Sequence, residues 1–377
     1  MTNLQTHATV VLLLIASNCA HPPPEARVAR VQELGVLEMT DAIQGRDGGY
    51  SVLAWGQSIW LYGDTVLESV DEDGSNWHHN SFSLTRDRDA SDGIGGFSEI
   101  DDSAGAPAHL LAPTESERQY NQAHQQRPDQ TCQEQPCGAR WATWPADAIH
   151  DPERDRVLIF YSKLHAAPGE LNFYSVGQSI AVWHGLESLP QRPVFGLDPD
   201  HPTLLFPGEE GALGLGVLIE DEHLHAFLCR RHSLDHRCSL ARVPLARALS
   251  RDEWRFYDGR DWSRERERAA HLFDGGSIMD VSWNQYLERY TAIYTRPLDR
   301  DVVLRTAPAL TGPWSEELLL FRAESERDIY DALPHSEFAE QDGRVQYITF
   351  SRPTGQGWFA SEMPIVQVVL ERIRSPM

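Results

Sequence analysis

Two aspartates near the start of the chain are the first residues whose type and spacing suggest chemistry. Asp47 lies in a glycine-rich turn before a strand pattern, and Asp64 ends an aromatic run. Their separation of 17 residues matches a hairpin, so paired strands can bring both carboxyls together. Glycoside hydrolysis needs two such groups, one to protonate the leaving oxygen and one to act as nucleophile or to activate water. The alternative is that each Asp is a turn residue bonded to its own backbone.

Six further polar or aromatic residues are candidates for binding a sugar: Asn80, Trp144, Asp147, Trp283, Asn284 and His335. Trp144 would stack on a sugar ring, and Asp147 would be a third acid that tunes the pKa of a neighbour. His335 would face the site from the last part of the chain. Each has a structural alternative: a turn cap for Asn80, a hairpin turn for Trp283 and Asn284, a core position for Trp144, and an ordinary loop position for Asp147 and His335.

The elements that must position these residues are strands. Short runs rich in Val, Ile, Tyr, Phe and Trp alternate with Gly, Asp, Asn and Pro clusters, as is typical of β-structure. A turn followed by an aromatic strand occurs five times, with strands beginning near residues 59, 157, 224, 290 and 345. This repetition predicts an all-β five-bladed β-propeller over residues 35–373, with a polar insertion at 87–138. A pair of β-sandwich domains is the alternative.

The N-terminus predicts export. Val10 to Ala16 is apolar but too short to span a bilayer, and it fits the core of a signal peptide over residues 1–19. Cys19 stands where a bacterial lipoprotein signal would place a lipidated cysteine. Residues 20–34 begin with a Pro-rich run and are expected to form a tether. The protein is therefore expected in the bacterial cell envelope, held by a lipid anchor, or otherwise periplasmic or secreted.

The other four cysteines form two close pairs in sequence, Cys132 with Cys137 and Cys229 with Cys238. Exported proteins form disulfides, so two local bridges are expected. Zinc is the alternative for the second pair, since four histidines surround it: His223, His225, His232 and His236. Their irregular spacing does not fit the usual zinc motifs, and no metal site is predicted.

The charge balance limits the partners. The formal net charge of −23 disfavours binding of nucleic acid through a basic surface. We expect a polysaccharide or other glycan as partner, contact with a membrane only through the lipid anchor, and a monomer. No cofactor is predicted, although the acidic excess is compatible with calcium in the channel of the propeller.

Several segments together resemble the DUF4185 family and its DUF5005 relatives. They are the stretch from Asp47-Gly-Gly-Tyr-Ser to Tyr62-Gly-Asp-Thr, Asn80-Ser-Phe-Ser, Trp144-Pro-Ala-Asp, Val281-Ser-Trp-Asn and Gly312-Pro-Trp-Ser. The resemblance implies a five-bladed propeller related to arabinanases and fructosidases, and some DUF4185 members are endo-D-arabinanases. It also implies that Asp47 and Asp64 are the catalytic carboxylates.

Three functions therefore stay open at the level of sequence. The first is an exported glycoside hydrolase that acts on furanose-rich, arabinan-like polysaccharide. The second is a surface lipoprotein whose propeller binds glycan or protein without cleaving it. The third is a structural module of the envelope with its channel closed by residues 87–138.

Overall fold

The chain folds into five antiparallel sheets arranged in a ring, which is a five-bladed β-propeller. The computed structural model describes residues 21–70, 75–102, 105–125, 132–169, 172–208, 212–232, 235–355 and 360–373. The predicted fold class is confirmed, and the pair of β-sandwiches is wrong. The signal segment and Cys19 lie outside the described residues.

The strands follow one another blade by blade along the chain. An N-terminal strand, β1 (Ala26–Val36), comes first. Blade 1 contains β2 (Ile43–Ala54), β3 (Gln57–Leu67), β4 (Trp77–His78), β5 (Ser81–Thr85) and β6 (Ser98–Glu99). The helix α1 (Glu115–His124) precedes blade 2, which contains β7 (Arg140–Asp151), β8 (Arg156–Ala166), β9 (Phe173–Trp183) and β10 (Phe206–Pro207).

The remaining blades are built in the same order. Blade 3 contains β11 (Ala212–Glu220), β12 (His223–His232), β13 (Asp235–Pro244), β14 (Arg255–Tyr257), β15 (Trp262–Ser263) and β16 (Phe273–Gly275). Blade 4 contains β17 (Met279–Asn284), β18 (Arg289–Thr295), β19 (Asp301–Ala307) and β20 (Leu318–Arg322). Blade 5 contains β21 (Tyr330–Pro334), β22 (Val345–Pro353), β23 (Ser361–Glu362) and β24 (Pro364–Arg372). Short 3₁₀ turns lie at Leu245–Arg247, Arg251–Glu253, Arg266–Arg268, Ser336–Phe338 and Gln341–Gly343.

The ring is closed by its two ends. Strand β1 pairs with β24 and forms the outer strand of blade 5, whose other strands come from the C-terminal part of the chain. The first strand of the propeller therefore begins at Ala26, within the segment 20–34 that the sequence predicts to be a tether. The reason is burial: most β1 side chains are exposed, so the segment lacks the alternation of buried and exposed residues that identifies a half-buried strand.

Five turns join the first and second strand of each blade, and we call the end of the channel where they gather the hairpin face. They lie at residues 55–56, 152–155, 221–222, 285–288 and 335–344. Neighbouring turns contact one another there: the Trp55 indole donates to Asp155 at 2.8 Å, and the Tyr286 backbone N–H donates to the Asp342 carbonyl oxygen at 2.7 Å. The innermost strands β2, β7, β11, β17 and β21 therefore all run toward the hairpin face.

Buried tryptophans fill the spaces between blades. Trp314, in the loop between β19 and β20, is 1 % exposed and its ring centroid lies 4.7 Å from that of Phe273 in blade 3. The Gly312-Pro-Trp-Ser segment is thus an aromatic plug between blades 3 and 4. Burial of one such ring stabilises the fold by about 2–3 kcal/mol, so the loop contributes to holding the ring together.

The insertion at 87–138 is partly ordered by α1. Thr114 and Glu117 form a reciprocal capping box at its first turn, which satisfies backbone N–H groups that the helix leaves unpaired. Glu117 also binds Lys163 at 2.6 Å and Arg192 at 2.6 Å. The pKa of Glu117 is held well below its usual range: burial acts to raise it, but the Arg192 and Lys163 cations together outweigh that effect. The described part of the insertion therefore packs on blade 2 as a folded element.

Both expected disulfides are present, Cys132–Cys137 in the insertion and Cys229–Cys238 across β12 and β13. The second bridge takes up both thiols of the alternative zinc site. Within the described ranges no group of three His, Cys, Asp or Glu side chains is arranged to hold a metal ion. No helix in these ranges is long and apolar enough to cross a bilayer.

Candidate functional site

Asp47 and Asp64 lie next to one another at the end of the channel opposite the hairpin face, which we call the mouth. The pairing of β2 with β3 is interrupted at this point, with Arg46 opposite Thr65 and Gly48 opposite Tyr62. Asp47 occupies the resulting bulge and faces Gly63 and Asp64. Bulges commonly re-aim a side chain beside an active site.

Glycine at position 63 leaves room for the Asp47 carboxyl. A methyl group on Gly63 would lie 2.5 Å from Asp47 Oδ1, which is shorter than any ordinary contact. The backbone N–H of Asp64 donates a hydrogen bond to the same carboxylate. The Gly63-Asp64 pair within β3 therefore fixes where the Asp47 carboxyl lies.

Both carboxyls hold a proton more tightly than an exposed aspartate does. Burial raises the pKa of Asp47 to about 7, against the lowering effects of the Asp64 backbone N–H and the Tyr330 hydroxyl. Burial and then the charge of Asp47 raise the pKa of Asp64 well above its usual range. Two acids that crowd each other share protons unequally, so near neutral pH one carboxyl of this pair is protonated and the other is ionised.

Three aromatic side chains stand around the two acids. The Trp144 indole N–H donates to Asp64 Oδ1 at 2.8 Å, and the Tyr330 hydroxyl donates to Asp47 Oδ2 at 3.4 Å. Phe173 is 42 % exposed and meets Trp144 edge to face, with ring centroids 4.8 Å apart. The mouth thus combines two proton-exchanging groups with aromatic surface that water can reach.

A third carboxyl, that of Asp331, lies at the mouth from blade 5. Its Oδ2 accepts the backbone N–H of Gly48 at 2.9 Å. Burial and the charge of Asp47 raise its pKa well above the usual range. Asp331 lies in an interruption of the pairing between β21 and β22 and has φ of 59°, a left-handed conformation that costs energy in a residue other than glycine.

Deeper in the channel lies a second set of acids. Asp147, in a bulge of β7, accepts the backbone N–H groups of Val217 and Ala148, both at 2.7 Å. Burial and then the charge of Asp280 raise its pKa well above the usual range. Burial raises the pKa of Asp280 to about 7, and Glu337 adds to this. Acidic residues from four of the five innermost strands therefore line the channel.

Tyr50 separates the two levels. It is 3 % exposed, and its hydroxyl donates to the Met279 carbonyl oxygen at 3.2 Å. Burial and the charges of Asp147 and Asp331 raise its pKa, so its hydroxyl stays protonated. Asp147 therefore lies close below the acids of the mouth. Its role is structural, because its two oxygens accept backbone N–H groups of blades 2 and 3.

Two other candidate residues, Asn80 and His335, are buried and fully engaged. The Asn80 amide donates to the Thr143 carbonyl oxygen at 2.9 Å and accepts the Leu111 N–H at 2.9 Å. His335 lies between Ser51 and Thr349 at 2.7 and 2.8 Å, and burial lowers its pKa to about 3. Asn80 joins the insertion to β7, and neutral His335 joins blade 5 to blade 1.

The structure places Trp283 and Asn284 on the hairpin face, away from the mouth. Asn284 Oδ1 accepts the Leu287 N–H at 2.9 Å, and its amide donates to the Gly343 carbonyl oxygen at 2.8 Å. Trp283 is 45 % exposed and donates to Gln285 in the same turn. The two residues shape a hairpin and are not brought together with Asp47 and Asp64.

Sequence reasoning missed four residues of the channel: Phe173, Asp280, Tyr330 and Asp331. A signal for two of them was present. In blades 1, 2, 4 and 5 an Asp lies on the innermost strand several residues before the hairpin turn. Aligning the repeats on that Asp, instead of on the turn and the aromatic strand, would have found Asp280 and Asp331.

Comparison with protein families gives one match. Residues 200–355 match DUF4185, described as a domain of unknown function. The resemblance to DUF4185 is confirmed. The DUF4185 match covers blades 3 and 4 together with β10, β21 and β22, so Trp283 and Trp314 lie inside it and Asp47 and Asp64 lie outside it. No curated protein matches the chain.

Solved structures share the propeller fold. A candidate hydrolase of Bacteroides ovatus superimposes with a TM-score of 0.52 at 13 % identity, covering 89 % of this chain and 87 % of the other. An α-L-arabinofuranosidase of Podospora anserina gives a TM-score of 0.45 at 10 % identity, and the match covers 93 % of this chain and 99 % of the other. An exo-β-1,3-galactanase of Phanerochaete chrysosporium gives a TM-score of 0.46 at 9 % identity, and the match covers 85 % of this chain and 59 % of the other. At these identities the likeness concerns the fold alone.

Proposed function

We propose that the protein is an exported glycoside hydrolase that cleaves a furanose-rich, arabinan-like polysaccharide at the mouth of its propeller. One observation carries the proposal. Two neighbouring carboxyls with raised pKa values each receive a hydrogen bond from an aromatic side chain, Trp144 to Asp64 and Tyr330 to Asp47. Aromatic faces stack on sugar rings, and paired acids hydrolyse the bonds between them.

The causes of the two pKa shifts favour one assignment of the roles. The pKa of Asp64 is raised by burial and by the charge of Asp47, so Asp64 holds the shared proton and donates it to the glycosidic oxygen as the C–O bond breaks. Asp47, whose negative charge raises the pKa of Asp64, is then the ionised carboxyl. It acts as nucleophile or as the base that takes a proton from water, and the water hydroxyl ends on the anomeric carbon.

Trp144 and Phe173 lie on the Asp64 side of the mouth, and Tyr330 lies on the Asp47 side. A sugar chain that stacks on both walls would present its glycosidic oxygen between the two acids. The reaction as proposed needs no cofactor, because carboxyls carry both the proton transfer and the attack. Treatment with EDTA is therefore expected to leave the rate unchanged.

The decisive test is release of reducing sugar from arabinan by the wild type, by Asp47→Asn and by Asp64→Asn. Each substitution is expected to lower the rate at least about 1,000-fold, because it removes a group that reacts directly. Asp92→Asn, on the exposed turn between β5 and β6 of blade 1, is the matched control and should retain full activity. Full activity in Asp47→Asn would overturn the proposal, and binding of arabinan without cleavage by the wild type would favour a glycan-binding protein.

We also propose export and a lipid anchor at Cys19. The two disulfides support export, since such bonds persist in oxidising compartments. The described chain before β1 packs on blade 4, where the Glu316 N–H donates to the Pro22 carbonyl oxygen at 2.7 Å and His21 Nδ1 donates to the Trp314 carbonyl oxygen at 2.9 Å. Incorporation of labelled palmitate that survives Cys19→Ala would contradict lipidation at this residue.

A further inference from the structure

Blade 5 is bonded to the backbone on both sides of Asp47. The carbonyl oxygen of Arg46, in the peptide group before Asp47, accepts the Ser361 hydroxyl at 2.9 Å. The N–H of Gly48, in the peptide group after Asp47, donates to Asp331 Oδ2 at 2.9 Å. The planes of these two peptide groups set the φ and ψ angles of Asp47. Ser361 and Asp331 therefore fix the direction in which the Asp47 side chain leaves the strand.

Blade 1 alone does not hold this segment in place. The register between β2 and β3 breaks between Arg46 and Gly48, so Asp47 lies where the ladder is locally disrupted. Gly48 and Gly49 follow with φ angles of 81° and 97°. Glycine enters this left-handed region freely, but it also loses the most conformational freedom when its conformation is fixed. The segment that carries Asp47 therefore needs bonds from outside its own sheet.

The contact with blade 5 is close and buried. Ser361 is 5 % exposed and Asp331 is 4 % exposed. Each of the two bonds therefore resists opening, because a buried donor or acceptor that loses its partner is not compensated by solvent. A methyl group on Gly49 would lie 2.5 Å from Cε of Met363, the residue that joins β23 to β24. Asp331 holds its oxygen in place at an energetic cost, with φ of 59°, and strain of this kind clusters at functional sites.

We propose that Asp331 and Ser361 are positioning residues, which hold the Asp47 carboxyl in its reacting orientation through the two peptide groups beside it. Neither side chain has to touch the sugar for this role. Strand β1 pairs with β24 and so completes blade 5, and closure of the ring thereby supports the geometry of the mouth. The inference rests on the proposed hydrolase function, because orientation matters for a carboxyl that reacts.

The first test removes one of the two hydrogen bonds. In Ser361→Ala, kcat for arabinan should fall about five- to tenfold, as expected when one hydrogen bond that orients a reacting group is lost. KM should stay close to that of the wild type, because Trp144 and Phe173 still offer their rings to the sugar. The matched control is Ser315→Ala, which also removes a buried serine hydroxyl that binds a backbone N–H, but in blade 4. Equal kcat values in Ser361→Ala and Ser315→Ala would overturn the inference.

The second test separates the oxygen of Asp331 from its charge. Asp331→Asn keeps an oxygen that can accept the Gly48 N–H, whereas Asp331→Ala removes it. If Asp331 acts through this bond, kcat of Asp331→Asn should exceed that of Asp331→Ala by about five- to tenfold. Equal kcat values in the two variants would show that the bond to Gly48 does not position Asp47, and would overturn the inference.

Hydrogen exchange distinguishes failure of this inference from failure of the hydrolase proposal. The exchange rate of the Gly48 amide, measured by NMR, should be about five- to tenfold higher in Asp331→Ala than in Asp331→Asn and the wild type. If the wild type cleaves no arabinan, this rise still supports the hold of blade 5 on Asp47, and the hydrolase proposal fails alone. An unchanged exchange rate would overturn the inference. If arabinan is cleaved but exchange and kcat stay unchanged in Asp331→Ala, the positioning role fails and the hydrolase stands.

Discussion

Replacing Asp47 by Asn should stabilise the protein at alkaline pH and not at acid pH. Asp47 titrates at about 7 in the folded chain because burial opposes its charge, whereas an unfolded aspartate titrates near 3.9. Between these values the folded state binds a proton that the unfolded state has lost. The free energy of unfolding of the wild type therefore falls as pH rises through this window. The fall that Asp47 causes ends once Asp47 is ionised in both the folded and the unfolded state.

The magnitude follows from the pKa shift. A rise from 3.8 to about 7 is about three pH units, and each unit corresponds to about 1.4 kcal/mol. The ionised carboxyl thus costs the folded state about 4 kcal/mol as an upper value. Asp47 is not completely buried, and water at the mouth reduces the cost, so we expect Asn to gain about 1–3 kcal/mol at pH 8. At pH 4 the gain should vanish.

The assay is urea unfolding of the wild type and Asp47→Asn at several pH values from 4 to 8, followed by circular dichroism, with Asp92→Asn as a surface control. The difference between Asp47→Asn and the wild type should grow with pH, while the control should stay flat. A difference that does not change with pH would show that burial does not raise the pKa of Asp47. If the free energy of unfolding of Asp47→Asn minus that of the wild type fell as pH rises, the sign would be opposite to the one expected and the reasoning would be refuted.

Three further changes test the mouth and the frame that holds it. Gly63→Ala places a methyl group 2.5 Å from Asp47 Oδ1, and activity should fall about 100-fold because the carboxyl is displaced. Gly95→Ala is the control, because a methyl group there meets nothing within 4 Å. Equal activities of the two variants would show that the space at Gly63 does not position the Asp47 carboxyl. Trp144→Phe removes the indole N–H that lowers the pKa of Asp64, so the alkaline limb of the pH–rate profile should move to higher pH; a shift to lower pH would exclude Asp64 as the proton donor. Replacing Cys229 and Cys238 together by Ser should lower the free energy of unfolding in urea by about 2–3 kcal/mol. The value of kcat should not change, because the bridge joins β12 and β13 in blade 3. Unchanged stability would show that the bridge does not form.

The fold could be predicted from sequence because each blade repeats a local pattern. A turn followed by an aromatic strand needs only neighbouring residues, and every one of the five turns was found at its place. The closing strand β1 could not be found in this way. Its side chains are mostly exposed and its partner β24 lies at the other end of the chain, so no local alternation marks it.

The mouth was predicted in part for the same reason. Asp47 and Asp64 belong to one hairpin, and their spacing is a local property. Tyr330 contacts Asp47 only because the ring closes and brings together residues 283 positions apart. Trp283 and Asn284 show the converse: their composition is that of a sugar site, but each blade has two ends, and residue type alone does not say which end a residue occupies.

The central claim is that Asp47 and Asp64 together split a glycosidic bond with water. Hydrolysis of arabinan in oxygen-18 water, with products analysed by mass spectrometry, tests it most directly. We expect one labelled oxygen at each new reducing end from the wild type, and no labelled product from Asp47→Asn or Asp64→Asn. Labelled product from both variants at the wild-type rate, or none from a folded wild type, would contradict it.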